Sequence, residues 1–335
     1  MKPYVVAEVG PNHNGSLDRA LEMVATAAAA GADAVKFQIA VPENVYSLDA
    51  FKADYQRIND SEGSAIDMSR RLQLGRDDHR RLHQACRNAG VAYMCTAFDL
   101  DSLAFIDREF DLPYFKIASG EILSVDMLDY MAERHRPVLL STGMATFDEI
   151  AGALARLERR NPKEITILHC VSRYPVPHKD VNLRVLGALA ERFGRPIGYS
   201  DHSLGIECCL GAVALGATVI EKHVTLDRDL PGPDHKASAT IEEFATLVEA
   251  IRRLEEALGA AEKTFSDEEA AVRRMARKSI VAARAIPAGA AIARGDVCFK
   301  RPGTGLPPTA LDAVLGHRVR RAIECDRVID AGDID

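Results

Sequence analysis

The chain has 335 residues, of which 47% are hydrophobic and 27% charged, and this balance is typical of a globular protein and argues against disorder. At about 150 residues per domain, the length predicts two domains, or one α/β barrel of about 250 residues with a small addition. The net charge of −7 argues against non-specific nucleic-acid binding, which usually needs a basic excess.

No apolar segment approaches the length of a membrane span, and the N-terminal residues lack the apolar region of a signal peptide. The seven cysteines are an odd number and include no C-x-x-C pair, which argues against a disulfide framework and against a cysteine zinc site. We therefore expect reduced thiols and a cytoplasmic protein.

Apolar strand-like segments alternate with helical segments through the first 258 residues. The predicted strands are 4–10, 33–39, 91–98, 114–120, 137–144, 164–171, 196–202 and 217–226. The predicted helices are 17–30, 77–89, 101–110, 124–135, 146–160, 180–193, 205–215 and 241–258. Ser16 is the expected cap of the first helix, and Gly31 and Gly90 are the expected stops of the first two. Residues 40–75 are polar and weakly periodic, so no element is assigned there.

This alternation predicts an α/β fold in which residues 1–258 form a closed (β/α)₈ TIM barrel. The strands are apolar runs, as expected for a parallel sheet covered by helices. A Rossmann-like open sheet is the alternative, but no G-x-G-x-x-G follows the first strand. Residues 259–278 are charged and helical and are interpreted as a linker, and residues 279–335 as a small, mostly β domain.

The active site of such a barrel lies at the carboxyl ends of its strands, where this sequence is rich in polar residues. The strand ends carry Glu8, Lys36, Gln38, Thr96, Lys116, Ser119, Glu121, Ser141, Thr142, His169, Ser200, Asp201, His202, Glu221 and His223. The loops that follow strands six and eight add Tyr174, Asp234, His235 and Lys236.

Two of these residues are lysines, Lys36 and Lys116, which lie at the ends of predicted strands two and four. The hydroxyls of Thr96 and Ser119 lie beside them. Positive charge combined with hydroxyl donors predicts a pocket for phosphate or another anion. The alternative is that each lysine is paired with a nearby carboxylate. No Walker-type loop is present, so a nucleoside triphosphate is not indicated.

His202 and His223 end adjacent strands and are candidates to hold one divalent cation with open coordination positions. The alternative is a pair of hydrogen-bonded structural histidines. No third ligand is evident, which favours an exchangeable Mn²⁺ or Mg²⁺ over structural zinc.

Three carboxylates, Glu8, Glu221 and Asp234, are candidates for acid–base chemistry or for binding sugar hydroxyls, with salt bridges to the lysines as the alternative. Cys95 and Cys170 lie within strands, where a core role is expected.

Several strings resemble the sialic acid synthase family, in the same order along nearly the whole chain. They are AEVGPNHNG (7–15), AVKFQ (34–38), KIASGE (116–121), LHCVSRYPVP (168–177), IGYSDHSLGIE (197–207), IEKHVTLDRDLPGPDHKAS (220–238) and KRPGTGLPP (300–308). The last string lies in a tail similar to the SAF, or antifreeze-like, domain. The resemblance implies a (β/α)₈ barrel that condenses phosphoenolpyruvate with an N-acetylated amino sugar in a metal-dependent reaction. It also implies a domain-swapped homodimer in which the tail of one chain caps the barrel of the other.

The resemblance implies a role for each matching residue. His202 and His223 match metal ligands, with Mn²⁺ expected and Mg²⁺ or Co²⁺ as alternatives. The phosphoenolpyruvate contacts are Lys36, Thr96, Lys116, Ser119 and Ser200. The amino-sugar contacts are Glu8, Gln38, Tyr174, Asp234 and the tail residue Arg301, which would reach the partner's pocket. Glu8, Glu221 and His223 are the expected catalytic residues, with Glu221 as the base for water. At Ser172 some relatives have an asparagine that contacts phosphate, so its role stays open.

The preferred acceptor is N-acetylmannosamine or a close analogue. Legionaminic and pseudaminic acid synthases, which use a diacetamido-trideoxy sugar, are the near alternatives. The R-P-G string of the tail argues against another phosphoenolpyruvate aldol synthase. The full set of polar residues at the strand ends argues against a non-catalytic glycan- or ice-binding protein. Loop 40–75 is expected to shape the sugar pocket.

Overall fold

A computed structural model describes residues 2–159 and 164–335. The chain divides into two compact units, the first ending at Gly259 and the second beginning at Ala260. In the described residues, no helix is long and apolar enough to cross a membrane.

The first unit is a closed barrel of eight parallel strands, as predicted. The strands are β1 (Tyr4–Glu8), β2 (Ala34–Ile39), β3 (Ala92–Ala97), β4 (Phe115–Ile117), β5 (Val138–Ser141), β6 (Ile165–His169), β7 (Ile197–Asp201) and β8 (Val219–Thr225). Each strand pairs with the next in chain order, and β8 pairs with β1 to close the barrel. A short strand β9 (Ala239–Thr240) pairs in parallel with the end of β8.

Helices follow each barrel strand, and most of them cover the outside of the barrel. They are α1 (Leu17–Ala29), α2 (Pro42–Val45), α3 (Asp54–Asn59), α4 (Ala65–Leu72), α5 (Arg76–Ala89), α6 (Leu100–Glu109), α7 (Val125–Ala132), α8 (Phe147–Glu158), α9 (His178–Val181), α10 (Val185–Phe193), α11 (Glu207–Ala214) and α12 (Ile241–Leu258). The Ser16 hydroxyl accepts a hydrogen bond from the Arg19 amide, so the predicted cap of α1 is confirmed. Gly90 ends α5 in the left-handed conformation, also as predicted. The predicted end of α8 at residue 160 lies outside the described residues.

Segment 40–75 is not the element-free stretch that its weak periodicity predicts, because it contains α2, α3 and α4. Each of these helices has at most eight residues, which is too short to show a 3.6-residue repeat. Local contacts hold them instead. Ser64 and Asp67 form a capping box at the start of α4, and the buried Lys52 ammonium donates to two backbone carbonyls.

The barrel interior has an apolar layer below a polar one. The apolar layer consists of Val6, Ala34, Met94, Leu139, Leu168 and Val219. Side chains on one face of a strand recur every second residue, so the next inward position is two residues further on. In β1 that position is Glu8, in β2 it is Lys36 and in β8 it is Glu221. The polar layer therefore rests on a packed apolar floor.

The second unit contains α13 (Asp267–Ala276), the antiparallel strands β10 (Ser279–Ala282) and β11 (Val297–Lys300), and α14 (Leu311–Val314). Isolated bridges such as Val281 with Val328 extend the β structure. Its core is a separate apolar cluster that includes Ile280, Ile292 and Ile329. The predicted small, mostly β tail is confirmed.

Candidate active site

A cavity of about 400 Å³ opens at the carboxyl ends of the barrel strands. Its lining includes the predicted barrel residues Glu8, Lys36, Gln38, Thr96, Lys116, Ser119, Tyr174, Ser200, His202, Glu221, His223 and Asp234. The structure therefore brings together every barrel residue to which the family resemblance assigns a substrate, metal or catalytic role. Arg301 belongs to the second unit, where it directly follows β11 and is exposed.

Lys36 lies at the centre of the polar layer. Its Nζ atom is 2.5 Å from Glu8 Oε2 and 3.7 Å from Glu221 Oε1, and it donates to Thr96 Oγ1 at 3.1 Å. Burial works against its charge, but Glu221 and Glu8 outweigh that effect and raise the pKa of Lys36. Lys36 is therefore held as a cation inside the barrel.

Lys116 is bound less tightly by carboxylates. Its Nζ donates to Ser141 Oγ at 2.8 Å and lies 3.7 Å from Glu221 Oε1. Burial lowers the pKa of Lys116, because the attraction of Glu221 only partly offsets the lost hydration. An incoming anion would supply the negative charge that this lysine lacks.

The pKa values of the two inner carboxyl groups are shifted in opposite directions. Ser200 donates to Glu221 Oε1 at 3.0 Å, and Lys116 and Lys36 overcome the effect of burial to lower the pKa of Glu221 to about 2. Glu8 accepts from Gln38 Nε2 at 2.7 Å, but burial and the nearby Glu221 charge raise its pKa. Glu221 is thus the fixed anion of the site, and Glu8 is the carboxyl that holds a proton more readily.

His202 and His223 face each other with ring centroids 5.3 Å apart. His202 Nδ1 lies 2.7 Å from the carbonyl oxygen of Val171, and since a carbonyl only accepts, Nδ1 carries the proton and Nε2 keeps its lone pair. Burial lowers the pKa of each histidine to about 3. Both imidazoles are therefore neutral, as metal binding requires.

The chemistry of this pair fits a divalent cation. His223 Nδ1 is buried without a hydrogen-bond partner in the described part of the chain, and Asp234 Oδ2 lies 3.5 Å from it. No cluster of three or more His, Cys, Asp or Glu side chains suited to a metal occurs among the described residues. The pair therefore fits a weakly held, exchangeable ion whose other ligands are water or substrate oxygens.

An aromatic wall borders the histidines. Tyr174 packs on His202 with ring centroids 4.0 Å apart, and Tyr55 stacks on Tyr174 at 5.0 Å. The pKa of Asp234 on the same side is raised to about 7 by burial and by Glu8. Tyr55 comes from α3, within segment 40–75, for which no individual site residue is predicted from the sequence.

A corner of hydroxyl and backbone N–H groups closes the cavity near β5 and β6. The Gly143 amide donates to Ser119 Oγ at 2.9 Å, and Ser119 Oγ lies 3.1 Å from Cys170 Sγ. A Cβ atom at Gly143 would lie 2.3 Å from Ser172 Oγ. Ser172 thus lines the cavity, and Gly143 is the residue whose lack of a side chain keeps this corner open.

Some polar strand-end residues do not line the cavity. Asp201 is turned to the outside of the barrel, where Lys222 Nζ lies 2.6 Å from it, and His169 Nε2 donates to the carbonyl oxygen of Val181. The Thr142 hydroxyl donates to the carbonyl oxygen of Leu168. These residues lie at strand ends but face away from the cavity, because side chains alternate between the two faces of a strand. Position at a strand end alone therefore does not identify a site residue.

Comparison with known proteins identifies the family. Residues 23–263 match the model of the NeuB family, and residues 277–335 match the SAF domain. The chain belongs to the NeuB family. It is 40% identical over 324 residues to the N,N'-diacetyllegionaminic acid synthase of Legionella pneumophila, which covers 95% of this chain and 91% of that protein. It is 33% identical over 329 residues to human N-acetylneuraminate-9-phosphate synthase, covering 97% and 91%.

A solved structure agrees with this assignment. The N-acetylneuraminic acid (sialic acid) synthetase of Leptospira borgpetersenii matches with a TM-score of 0.73 and 33% identity, covering 81% of this chain and 90% of that one. The resemblance to the sialic acid synthase family with its SAF tail is confirmed. The NeuB-family chain is therefore an enzyme of the synthase, or condensing transferase, type.

Proposed function

We propose that this enzyme condenses phosphoenolpyruvate with an N-acylated amino sugar to give a nonulosonic acid and inorganic phosphate. The observation that carries the proposal is the joint placement of two buried lysines, two buried carboxylates and a neutral histidine pair on one cavity. Relatives that span over nine-tenths of the chain are named as synthases of such acids.

Phosphoenolpyruvate is the substrate for the lysine side of the cavity. Its phosphate and carboxylate need cations and donors that converge from several directions. Lys36 and Lys116 supply the charge, and the hydroxyls of Thr96, Ser119 and Ser200 supply donors. The lowered pKa of Lys116 agrees with this role, because a bound anion would restore the charge balance that burial disturbs.

His202 and His223 would hold the divalent cation, with Mn²⁺ as the candidate and Mg²⁺ or Co²⁺ as alternatives. When bound, such a cation acts as a Lewis acid that polarises the aldehyde oxygen of the open-chain sugar. The neutral state of both imidazoles and the Nδ1–H tautomer of His202 prepare the pair to bind it.

The carboxylates account for the proton and charge movements. The enol carbon of phosphoenolpyruvate bonds to the sugar aldehyde carbon, and positive character develops at the carbon that bears phosphate. Ionised Glu221 stabilises that charge. Phosphate bound to the lysines shares their charge and makes Glu221 more basic, so it can accept a proton from the water that adds there. The bond between that carbon and the phosphate oxygen then breaks, and the proton of the added hydroxyl passes to the departing phosphate as the ketone forms. Glu8, whose pKa is raised, can give a proton to the former aldehyde oxygen, and the proton that Glu221 took from water replaces it.

The part of the cavity that segment 40–75 lines has no charged side chain. Its polar residues are Gln56, Ser69 and Gln73, and its apolar or aromatic residues, which are the majority, are Ala40, Val45, Tyr46, Ala53, Tyr55, Met68 and Leu72. These side chains match methyl and acetamido groups better than an extended row of hydroxyls. We therefore place a 2,4-diacetamido-2,4,6-trideoxy sugar ahead of N-acetylmannosamine as the acceptor. The higher identity to the legionaminic acid synthase supports the same order.

The cations of segment 40–75 are engaged elsewhere, which favours an unphosphorylated acceptor. Arg71 Nη2 lies 2.6 Å from Asp60, and Arg70 Nη2 lies 2.8 Å from Glu43. Arg57 pairs with Asp54, and the Lys52 ammonium donates to the backbone. Each positive charge of the segment thus has a partner away from the cavity.

The test is phosphate release from phosphoenolpyruvate with Mn²⁺, comparing the diacetamido sugar with N-acetylmannosamine, alongside a chelated control. We expect faster turnover with the diacetamido sugar and a product whose mass equals both substrates plus water minus phosphate. Faster turnover with N-acetylmannosamine would make the enzyme an N-acetylneuraminate synthase. Phosphate release with neither sugar, or undiminished release after chelation, would count against the proposal.

We also propose a homodimer in which Arg301 of one copy serves the acceptor pocket of the other, as the family resemblance implies. The test is co-expression of two inactive variants, Arg301→Ala and Glu221→Gln. Random pairing makes half of the dimers mixed, each with one intact site, so about a quarter of wild-type activity should return. No recovery in a confirmed mixed dimer would show that each chain uses its own arginine or none.

A further inference from the structure

Helix α3 brings an aromatic side chain to the cavity beside the proposed acceptor contacts. The Tyr55 ring stacks on Tyr174 with centroids 5.0 Å apart and planes at 27°. Tyr174 also packs on His202, with centroids 4.0 Å apart and planes at 31°, and meets His223 edge-on with centroids 5.7 Å apart. Tyr174 is therefore held between α3 and the two facing histidines.

A second contact fixes α3 to the loop after β8. Asn59 Nδ2 donates to the carbonyl oxygen of Pro233 at 2.9 Å, and Pro233 directly precedes Asp234. Asp234 lies close enough to Tyr55 to contribute to its raised pKa, after burial, the main cause. The two barrel loops that carry Tyr174 and Asp234 thus both meet the same short helix.

The geometry points to Tyr55 as a positioning residue that determines how the enzyme binds its acceptor. It holds the Tyr174 ring in place against His202, so that the flat acyl-amide group of an amino sugar meets a preformed aromatic wall. This inference rests on the proposed function, and it names the residue through which segment 40–75 acts on the sugar. Tyr55 acts through Tyr174, which is a proposed acceptor contact and not one of the proposed phosphoenolpyruvate contacts.

The substitutions separate the ring from the hydroxyl and from simple volume. Tyr55→Phe keeps the stack, Tyr55→Leu keeps apolar volume without an aromatic ring, and Tyr55→Ala removes both. Arg57→Ala is the matched control, because Arg57 lies on the same helix with an exposed side chain and pairs with Asp54. Steady-state kinetics with each substrate varied, Mn²⁺ titration and melting temperatures are measured for all four variants and the wild type.

We expect Tyr55→Leu and Tyr55→Ala to raise the KM for the acceptor about three- to tenfold, the size expected for losing one aromatic pair. The KM for phosphoenolpyruvate should stay unchanged, and the affinity for Mn²⁺ should change less than the acceptor KM, because His202 keeps its hydrogen bond to Val171. Tyr55→Phe and Arg57→Ala should behave like the wild type. A general structural role would move all parameters together with the melting temperature.

The outcomes distinguish this inference from the function on which it rests. An active wild type with an unchanged acceptor KM in Tyr55→Leu and Tyr55→Ala overturns the inference alone. Equal increases in both KM values, or a parallel loss in Tyr55→Phe, also overturn it. A wild type that releases no phosphate with any amino sugar removes the proposed function, and the inference with it.

Discussion

The two faces of the β7–β8 ladder carry buried lysine–carboxylate contacts of opposite character. On the outer face Asp201 and Lys222 are 1% and 2% exposed, and their charged atoms are 2.6 Å apart. On the inner face Glu221 lies 3.7 Å from both Lys36 and Lys116. Glu221 and Lys222 are neighbours on β8, so the backbone alone does not explain the difference.

The outer pair is saturated with hydrogen bonds. Asp201 accepts from the Tyr199 hydroxyl, from the amide and hydroxyl of Ser203 and from the Cys209 thiol, while Lys222 also donates to the Ser203 carbonyl. On the inner face, Glu221 Oε2 has no hydrogen-bond partner among the described residues. A buried ion pair whose polar atoms all have hydrogen-bond partners stabilises the fold. Buried charged atoms that have no hydrogen-bond partner indicate a ligand site.

The lysines show the same contrast in their pKa values. Burial opposes the charge of Lys222, but Cys209 and Asp201 outweigh it and raise its pKa. Burial lowers the pKa of Lys116 despite Glu221. We therefore expect the Asp201–Lys222 pair to stabilise the fold. We expect the charge of Lys116 to bind substrate while lowering the stability of the folded state.

The largest effect is expected from Lys116→Met. Removing this cation from the anion side of the cavity should lower kcat/KM about 10³-fold, comparable to losing a preorganised donor in other active sites. The melting temperature should stay level or rise, because a poorly hydrated charge is removed. Kinetics and thermal unfolding check both parts, with the exposed Lys179→Met as control. A large fall in stability would show that the inner lysine is structural.

On the outer face, Lys222→Met should have the opposite result. It leaves the Asp201 carboxylate buried without its cation, which costs about 3–5 kcal/mol of unfolding free energy. The double variant Asp201→Asn with Lys222→Met should recover most of that loss, because no unpaired charge remains. Denaturant unfolding of the wild type, single and double variants checks the recovery. Equal stability of single and double variants would contradict a coupled pair.

Much of the fold and of the polar layer is predictable from the strands themselves. In β1 the apolar Val6 is followed two residues later by Glu8, and β8 repeats the pattern with Val219 and Glu221. The active site of a parallel barrel lies at the carboxyl ends of its strands, so we expect inward-facing polar residues there and apolar ones below them. The alternation of side chains and the position of the strand ends together locate the site. Strand ends alone also select Asp201, which faces outward.

The contribution of Tyr55 to the aromatic wall was not predictable from the same signals. Tyr55 lies on a helix of six residues, and the contacts that hold this helix, such as Asn59 with Pro233, join positions 174 residues apart. Neither periodicity nor local spacing encodes such contacts. The role of Gly143 was also hidden, because it depends on side chains of another strand and loop, Cys170 and Ser172.

Gly143→Ala is a smaller perturbation of the inner face. The added methyl group would lie 2.3 Å from Ser172 Oγ and 2.9 Å from Ser119 Oγ, so the hydroxyl corner must shift. We expect the KM for phosphoenolpyruvate to rise about tenfold, since small overpacking costs on the order of 1–3 kcal/mol. Gly152→Ala on α8, with open space around its Cβ position, is the control. An unchanged KM would place the phosphate away from this corner.

The smallest expected effect is the share of the acid sensitivity that comes from Asp201 on the outer face. Burial would raise the pKa of Asp201, but Lys222 and Ser203 outweigh it and hold the pKa below its ordinary value. The folded state therefore binds this proton more weakly than the unfolded state does. Its stabilising contribution is present above the ordinary Asp pKa of about 3.9 and is lost as the pH falls through the lower folded value.

The double variant Asp201→Asn with Lys222→Met lacks this titrating carboxylate. Its unfolding free energy should fall less steeply than that of the wild type once the pH drops below about 4. Lys179→Met, the exposed control, leaves the outer pair in place, so it should keep the wild-type acid slope. Denaturant unfolding over this range checks both slopes. Identical slopes in the wild type and the double variant would mean that Asp201 titrates alike in both states, and the saturated outer face would then contribute no stability through its charge.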